Sequence, residues 1–210
     1  MKGATQSRSF RAYFVISLLV PILAAAQGSL AQEGACDWQR GDLHKMHWPQ
    51  LPDLGSDGVA VSLSQAVAAD DFRWSAAGPV AEIHLWGTFL QDAPPEDGPA
   101  SLTVELSLYD DVPGDGKTGS RPGELLWSQT FAPGQYAVRA VHDGPGTWYD
   151  PATGEYHADH RGTTYQYSFC ADEPSVQREG TTCWLGVRVH ALDGAGSFAS
   201  VSYTHLRAHE

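Results

Sequence analysis

The chain is 210 residues long and carries a formal net charge of −12, from 13 Lys and Arg against 25 Asp and Glu. A surface that acidic repels phosphate backbones and anionic headgroups, which argues against nucleic acid or membrane-surface partners. The length fits one domain, and the supply of Trp, Tyr, Phe, Val and Leu is enough for a core.

Residues 1–31 read as a secretory signal peptide. Lys2, Arg8 and Arg11 form a basic head, and an apolar run from Ala12 to Ala26 follows it. Ser29, Leu30 and Ala31 then place small residues where signal peptidase cuts. That run is shorter than the roughly 20 residues of a membrane span. A secreted or extracytoplasmic mature chain, without membrane insertion, is expected from Gln32 onward.

Residues 32–58 follow as an irregular lead-in, containing Cys36, Trp38, His44, His47, Trp48 and two prolines. At the other end, Val201 to Glu210 matches the translation of a sequencing adapter over ten consecutive residues. Residues 200–210 are therefore expected to be adapter-derived. Without the two ends the body loses four cationic residues (Lys2, Arg8, Arg11, Arg207) but only one acidic residue, Glu210, and is more acidic still.

Between these ends, residues 59–199 read as short strands divided by Gly, Pro and Asp turns. Val59 to Leu63 alternates, and a short strand carries Asp70, Asp71 and Phe72. After the Gly78-Pro79 turn comes a longer strand, Val80 to Leu90. By alternation it puts Val80, Glu82, His84 and Trp86 on one face and Ala81, Ile83 and Leu85 on the other. Ser101 to Tyr109 sets Leu102, Val104, Leu106 and Leu108 against Thr103, Glu105, Ser107 and Tyr109, a core face and a water face. Further strands are expected at Glu124 to Phe131, Tyr136 to His142, Tyr165 to Cys170 and Cys183 to Leu192. A Pro133-Gly134 turn lies between the first two of these, and an irregular Gly- and Asp-rich excursion runs from Asp143 to Gly162. No segment has a sustained helical period. The fold class is all-β, a two-sheet antiparallel β-sandwich of jelly-roll-like or immunoglobulin-like type. With the natural chain ending near Ala199, the sandwich is expected to lack its last strand and to expose a sheet edge.

Five ordered segments carry a resemblance: Lys45 to Asp53, Ala69 to Phe72, Glu82 to Gly87, Ser120 to Trp127 and Trp148 to Gly154. Together they resemble a family of secreted bacterial β-sandwich proteins of unknown function, found in planctomycetes and metagenomes and often bearing a C-terminal surface-sorting signal. The resemblance implies an extracytoplasmic ectodomain and supplies no catalytic residues.

Two groups of side chains have metal-ligand chemistry. His157, Asp159 and His160, near Asp150 and Glu155, are of the type that holds a transition metal, although no strand or helix is expected to fix them. Asp110, Asp111, Asp115 and Asp143 are hard oxygen donors suited to calcium, yet the spacing is not that of an EF-hand and such residues also make ordinary turns. No other cofactor is implied. Asp70 and Asp71 point to opposite faces as strand neighbours, so they do not converge as an acid/base pair, and one is expected to face inward and bond backbone. Nucleophile-elbow, zinc-helix and phosphate-loop motifs are absent. No catalytic residues are expected.

Aromatic side chains are the best binding feature. Trp148, Tyr149 and Tyr156 sit in the expected excursion, where they would offer ring faces to a glycan; Trp86 and Trp127 read as core. Of the three cysteines, Cys170 and Cys183 flank neighbouring strands and are the nearest pair for a disulfide. Alternation argues the other way, since Cys170 falls with Gln166 and Ser168 while Cys183 falls with Leu185 and Val187, and both readings stand. The function expected is that of a secreted or surface-exposed non-catalytic module for display, adhesion or glycan contact. The alternative is an accessory domain of a longer secreted enzyme.

Overall fold

A computed structural model of the chain describes residues 51–55, 58–63, 67–159, 161–190 and 197–202, all within the unit 31–210. The expected signal peptide, the lead-in through Gln50 and the adapter-like residues 203–210 lie outside the described residues, as do Cys36, His44, His47 and His160.

Strands are the main regular elements of the described residues. In order these are β1 (Val59–Ser62), β2 (Ala68–Arg73), β3 (Gly78–Leu90), β4 (Val104–Val112), β5 (Arg121–Phe131), β6 (Tyr136–His142), β7 (Thr147–Asp150), β8 (Glu155–His157), β9 (Arg161–Gln177), β10 (Thr182–Val189) and β11 (Phe198–Ser202). A single 3-10 turn at Pro99–Ser101 interrupts them. One sheet runs β6-β9-β3-β11-β1-β7-β8 and the other β2-β10-β4-β5. All pairings are antiparallel except β1 with β7, which is parallel and departs from the all-antiparallel expectation.

Link lengths dictate the shape of the large sheet. From β6 to β7 the chain crosses five sheet positions in the four residues 143–146, and from β8 to β9 another five in residues 158–160. Five inter-strand steps of about 4.8 Å come to roughly 24 Å. A four-residue link reaches only about 17 Å. The sheet therefore curls until the β7–β8 end approaches the β6–β9 end. Arg161 N donates to Gly146 O at 3.2 Å across that approach.

The two sheets pack through their alternating apolar faces. Leu102, Val104, Leu106 and Leu108 are all buried, as the alternation requires, and they meet Ile83, Phe89, Phe131, Tyr167, Phe169 and Phe198. Phe131 and Phe169 have ring centroids 5.0 Å apart, and Tyr167 meets Phe198 edge-on at 5.4 Å.

Two irregularities correct the face assignments. Between Val80 and Glu82, the single residue Ala81 opposes the four residues 171–174 of β9. This bulge brings Val80 onto the core face with Ile83 and Leu85 rather than with Glu82 and His84. Pro174, which lacks a backbone donor, sits in the bulged stretch, so β9 runs on through a proline, well past the end expected at Cys170. The expected irregular excursion is in fact the hairpin β7–β8. Its link places Gly154 at φ 75, and Gly154 N donates to Asp150 O at 2.8 Å. Asp150 Oδ1 also accepts from Ala152 N at 2.9 Å, closing the turn.

The last described strand draws on the adapter-like segment. β11 lies inside the large sheet between β3 and β1, and Val201 and Ser202 of the adapter-like segment pair with Ala60 and Val59. Val201 is buried beside Trp148, Ala60 and Ala199. Strand pairing here needs apolar residues at alternate positions, which Ala199 and Val201 supply whatever their origin.

Candidate functional site

The three aromatic residues singled out in the sequence divide between two faces of one hairpin. Trp148 pairs with Ala60 and His157, and its side chain is only 2% exposed. A buried indole cannot stack on a sugar, so Trp148 is removed from the expected glycan contact and becomes an anchor. Its neighbour Tyr149 projects to the opposite face, where it pairs with Tyr156. The two rings lie 4.6 Å apart at 33°. Tyr156 is 66% exposed and is the most open aromatic side chain among the described residues. Beside it, Glu155 Oε2 lies 3.7 Å from His157 Nε2.

The metal candidates do not gather. Among the described residues no group of three His, Cys, Asp or Glu side chains comes together. Three of the four carboxylates of the expected calcium set, Asp110, Asp111 and Asp115, serve the backbone, a neighbouring hydroxyl or an indole. Asp110 Oδ1 accepts from Glu124 N, and Asp111 Oδ1 accepts from Trp184 Nε1 at 2.9 Å. Asp115 Oδ1 takes Lys117 N, Thr118 N and Thr118 Oγ1 at 2.9, 2.8 and 3.0 Å. Those three donors hold the Asp115 carboxyl below its ordinary range, the Thr118 amide most strongly. His157 is on β8, Asp159 follows in the link at φ 58, and both lie in the other sheet's hairpin, away from Asp110 and Asp111 on β4. His160, the third member of the transition-metal set, lies outside the described residues.

Asp70 and Asp71 behave as strand neighbours must. Asp70 stands opposite Leu185 and Asp71 opposite Trp184, so they take opposite faces of the small sheet. Asp70 Oδ1 accepts from Asp71 N at 3.0 Å, the expected backbone bond, but Asp70 is exposed rather than inward. Partial burial, then the Asp71 charge, raise the Asp70 carboxyl above its usual range.

The cysteine pairing is corrected. Cys170 is disulfide-bonded, whereas Cys183 is a free, buried thiol, so the two are not joined. They belong to different sheets, Cys170 on β9 and Cys183 on β10. The Cys183 Sγ donates to Gln177 Oε1 at 3.0 Å. Parity, the objection raised by alternation, decides the matter.

One further set has a catalytic look. His84 Nδ1 lies 3.0 Å from Ser168 Oγ, and His84 Nε2 lies 3.6 Å from Glu82 Oε2. Ser168 sits in mid-strand with His84 on β3 to one side and Ala137 on β6 to the other. Its neighbouring amides are committed to the sheet ladders, so no donors converge where an oxyanion would form. The hydroxyl is buried and also accepts from Gln166 Nε2 at 3.3 Å. This is a satisfied polar network that fixes β3, β6 and β9 in register.

Sequence reasoning missed Trp184. It pairs with Asp71 on one side and Tyr109 on the other, on the solvent face of the small sheet. The signal was available: Cys183, Leu185 and Val187 point inward, so Trp184 had to point outward, as Tyr109 was assigned to do.

The model of a family described as a domain of unknown function (DUF7901) matches residues 46–203, and the chain belongs to that family. No curated protein and no solved structure matches it.

Proposed function

We propose that this member of the family is an extracytoplasmic, non-catalytic β-sandwich module that contacts a glycan or another cell-surface component through the Tyr149–Tyr156 pair. The observation that carries the reading is the open ring of Tyr156, stacked on Tyr149 by a hairpin whose turn is closed by Asp150 and Gly154. Prepositioned aromatic faces bind with little loss of side-chain freedom, and sugar rings offer complementary apolar faces. An extracytoplasmic place is supported by the basic head and apolar run of the N-terminus and by the disulfide at Cys170, a bond that persists in oxidising compartments. Surface display fits the same chemistry. A glycan array probed with the full chain and with Tyr156→Ala tests the reading. Retention of the parent on one or more glycans, with most of the signal lost in the variant, supports it. No retention of the parent on arrayed glycans or on cell-surface material, or equal retention of the two proteins, overturns it.

A further inference from the structure

The outer face of the four-stranded sheet carries a second arrangement, independent of the β7–β8 hairpin. Along one row across the strands stand Asp71, Trp184, Tyr109 and Leu125. Alternation calls for polar side chains on a water-facing row, and three of these four are large and apolar. Trp184 is oriented by its indole N–H, which donates to Asp111 Oδ1 at 2.9 Å. Tyr109 lies down on the sheet over Gly186, where a Cβ would come within 2.9 Å of Tyr109 Cε2. Any side chain at 186 would lift the ring, so the glycine keeps Tyr109 flat beside Trp184. Neither ring is buried; each remains partly exposed.

The rows on either side carry polar groups among smaller residues such as Ala69, Gly186 and Pro122. Arg73, Thr182 and Asp111 flank one side, with Arg73 Nε donating to Gly180 O at 3.1 Å. On the other, Ser107 Oγ and Ser128 Oγ lie 3.1 Å apart, and Glu105 lies beyond them with Arg188 at 3.8 Å and His190 at 3.5 Å. We infer that Trp184 and Tyr109 form a binding platform for a neutral polysaccharide chain. An aromatic strip one residue wide between rows of hydroxyls and carboxylates matches a sugar ring, apolar on its faces and polar at its rim. A protein partner would instead call for a contiguous apolar centre. Asp71, Asp111 and Glu105 at the margins, on a chain of net charge −12, disfavour an anionic polymer.

Affinity electrophoresis and calorimetry of the full chain against mixed-linkage β-glucan, xylan and, as the anionic control, alginate test this directly. The expected result is retardation by at least one neutral polymer and none by alginate. Trp184→Ala and Tyr109→Ala should each weaken that binding about tenfold or more, while Tyr156→Ala leaves it unchanged. Trp184→Phe, which keeps the ring and hence the fold, should lose less than Trp184→Ala. Absence of binding to every neutral polymer, stronger binding to alginate, or full binding by a folded Tyr109→Ala protein overturns the platform. Loss of binding in Tyr156→Ala alone overturns it too, while leaving the hairpin reading in place.

Discussion

Arg161 is the residue whose loss should tell most about how the curled sheet is held. It opens β9, is only 2% exposed, and spends its guanidinium on carbonyls of two separate segments. Nη1 donates to Asp53 O at 3.2 Å; Nη2 donates to Leu54 O at 3.1 Å, Gly55 O at 2.8 Å and Pro145 O at 3.2 Å. Gly146 lies so close that a Cβ there would come within 2.3 Å of Arg161 Cζ, so the cradle is shaped to the guanidinium. Burial pulls the Arg161 pKa down, only partly offset by Asp53, which marks the cost of keeping the charge there.

Replacing Arg161 by Met preserves the stem and deletes all four bonds. The four contacts share three N–H groups, two of them on Nη2, and at about 1.5 kcal/mol for each charge-assisted donor the gross loss is about 4–5 kcal/mol. Relief from burying a charge offsets part of this, leaving a net destabilisation of about 3 kcal/mol. For a domain of this size that lowers Tm by about 6–12 °C. Arg161→Lys keeps the charge but cannot serve both segments with one ammonium, and should fall between the two. Thermal melts by circular dichroism, with urea titrations as a check, measure the effect. A Met variant within about 2 °C of the parent would refute the claim that these bonds tie residues 53–55 and 145 to β9.

Three other outcomes are expected. Burial drives the Tyr136 phenol up to about 12, and its hydroxyl donates to Leu102 O at 2.6 Å, so the neutral form is favoured in the fold. Its stabilisation is complete below the ordinary phenol range near pH 10 and is lost as pH rises through about 12. Absorbance titration of the phenolates should show a late phase coincident with unfolding that Tyr136→Phe diminishes; a single early phase would contradict it. In a peptide map without reduction, Cys183 should be alkylated only after denaturation, and Cys170 should appear in a linked peptide lacking Cys183. Detection of a Cys170–Cys183 peptide would reverse that correction. Because the Asp115 carboxylate already holds three donors, melts in calcium and in chelator should superimpose, and a rise of more than about 3 °C in calcium would show that the ion displaces them.

Most strands were legible because each shows alternation or a turn at its ends. β4 is the plainest case, with Val104, Leu106 and Leu108 buried at alternate positions and Leu102 buried just before them. Tyr136 to His142 was read to the residue, helped by the Pro133-Gly134 turn, where Gly134 has φ 85 and Gln135 N donates to Ala132 O at 3.0 Å. Legibility failed where pairing depends on distant chain. β7 and β8 are four and three residues long, too short for a periodic signal, and exist because β1 and the curl of the sheet give β7 a partner. The extension of β9 past Pro174 is invisible locally, since a bulge opposite Ala81 absorbs the proline. The parallel β1–β7 pair could not be foreseen from either segment alone, because orientation follows from where the link returns the chain.

The same parity logic separates what is structural from what is available for contact. Trp148 and Tyr149 are adjacent in a strand, so burying one presents the other, and the pair that read as one platform is an anchor and a contact. In β10, Cys183 and Leu185 face the core and force Trp184 outward, while Asp111 and Gly186 hold it and its neighbour Tyr109 in place. Among the described residues, the hairpin whose turn Asp150 closes and the small sheet with Asp111 and Gly186 each set aromatic rings on an outer face. The proposed contacts at those two places rest on that placement of the rings.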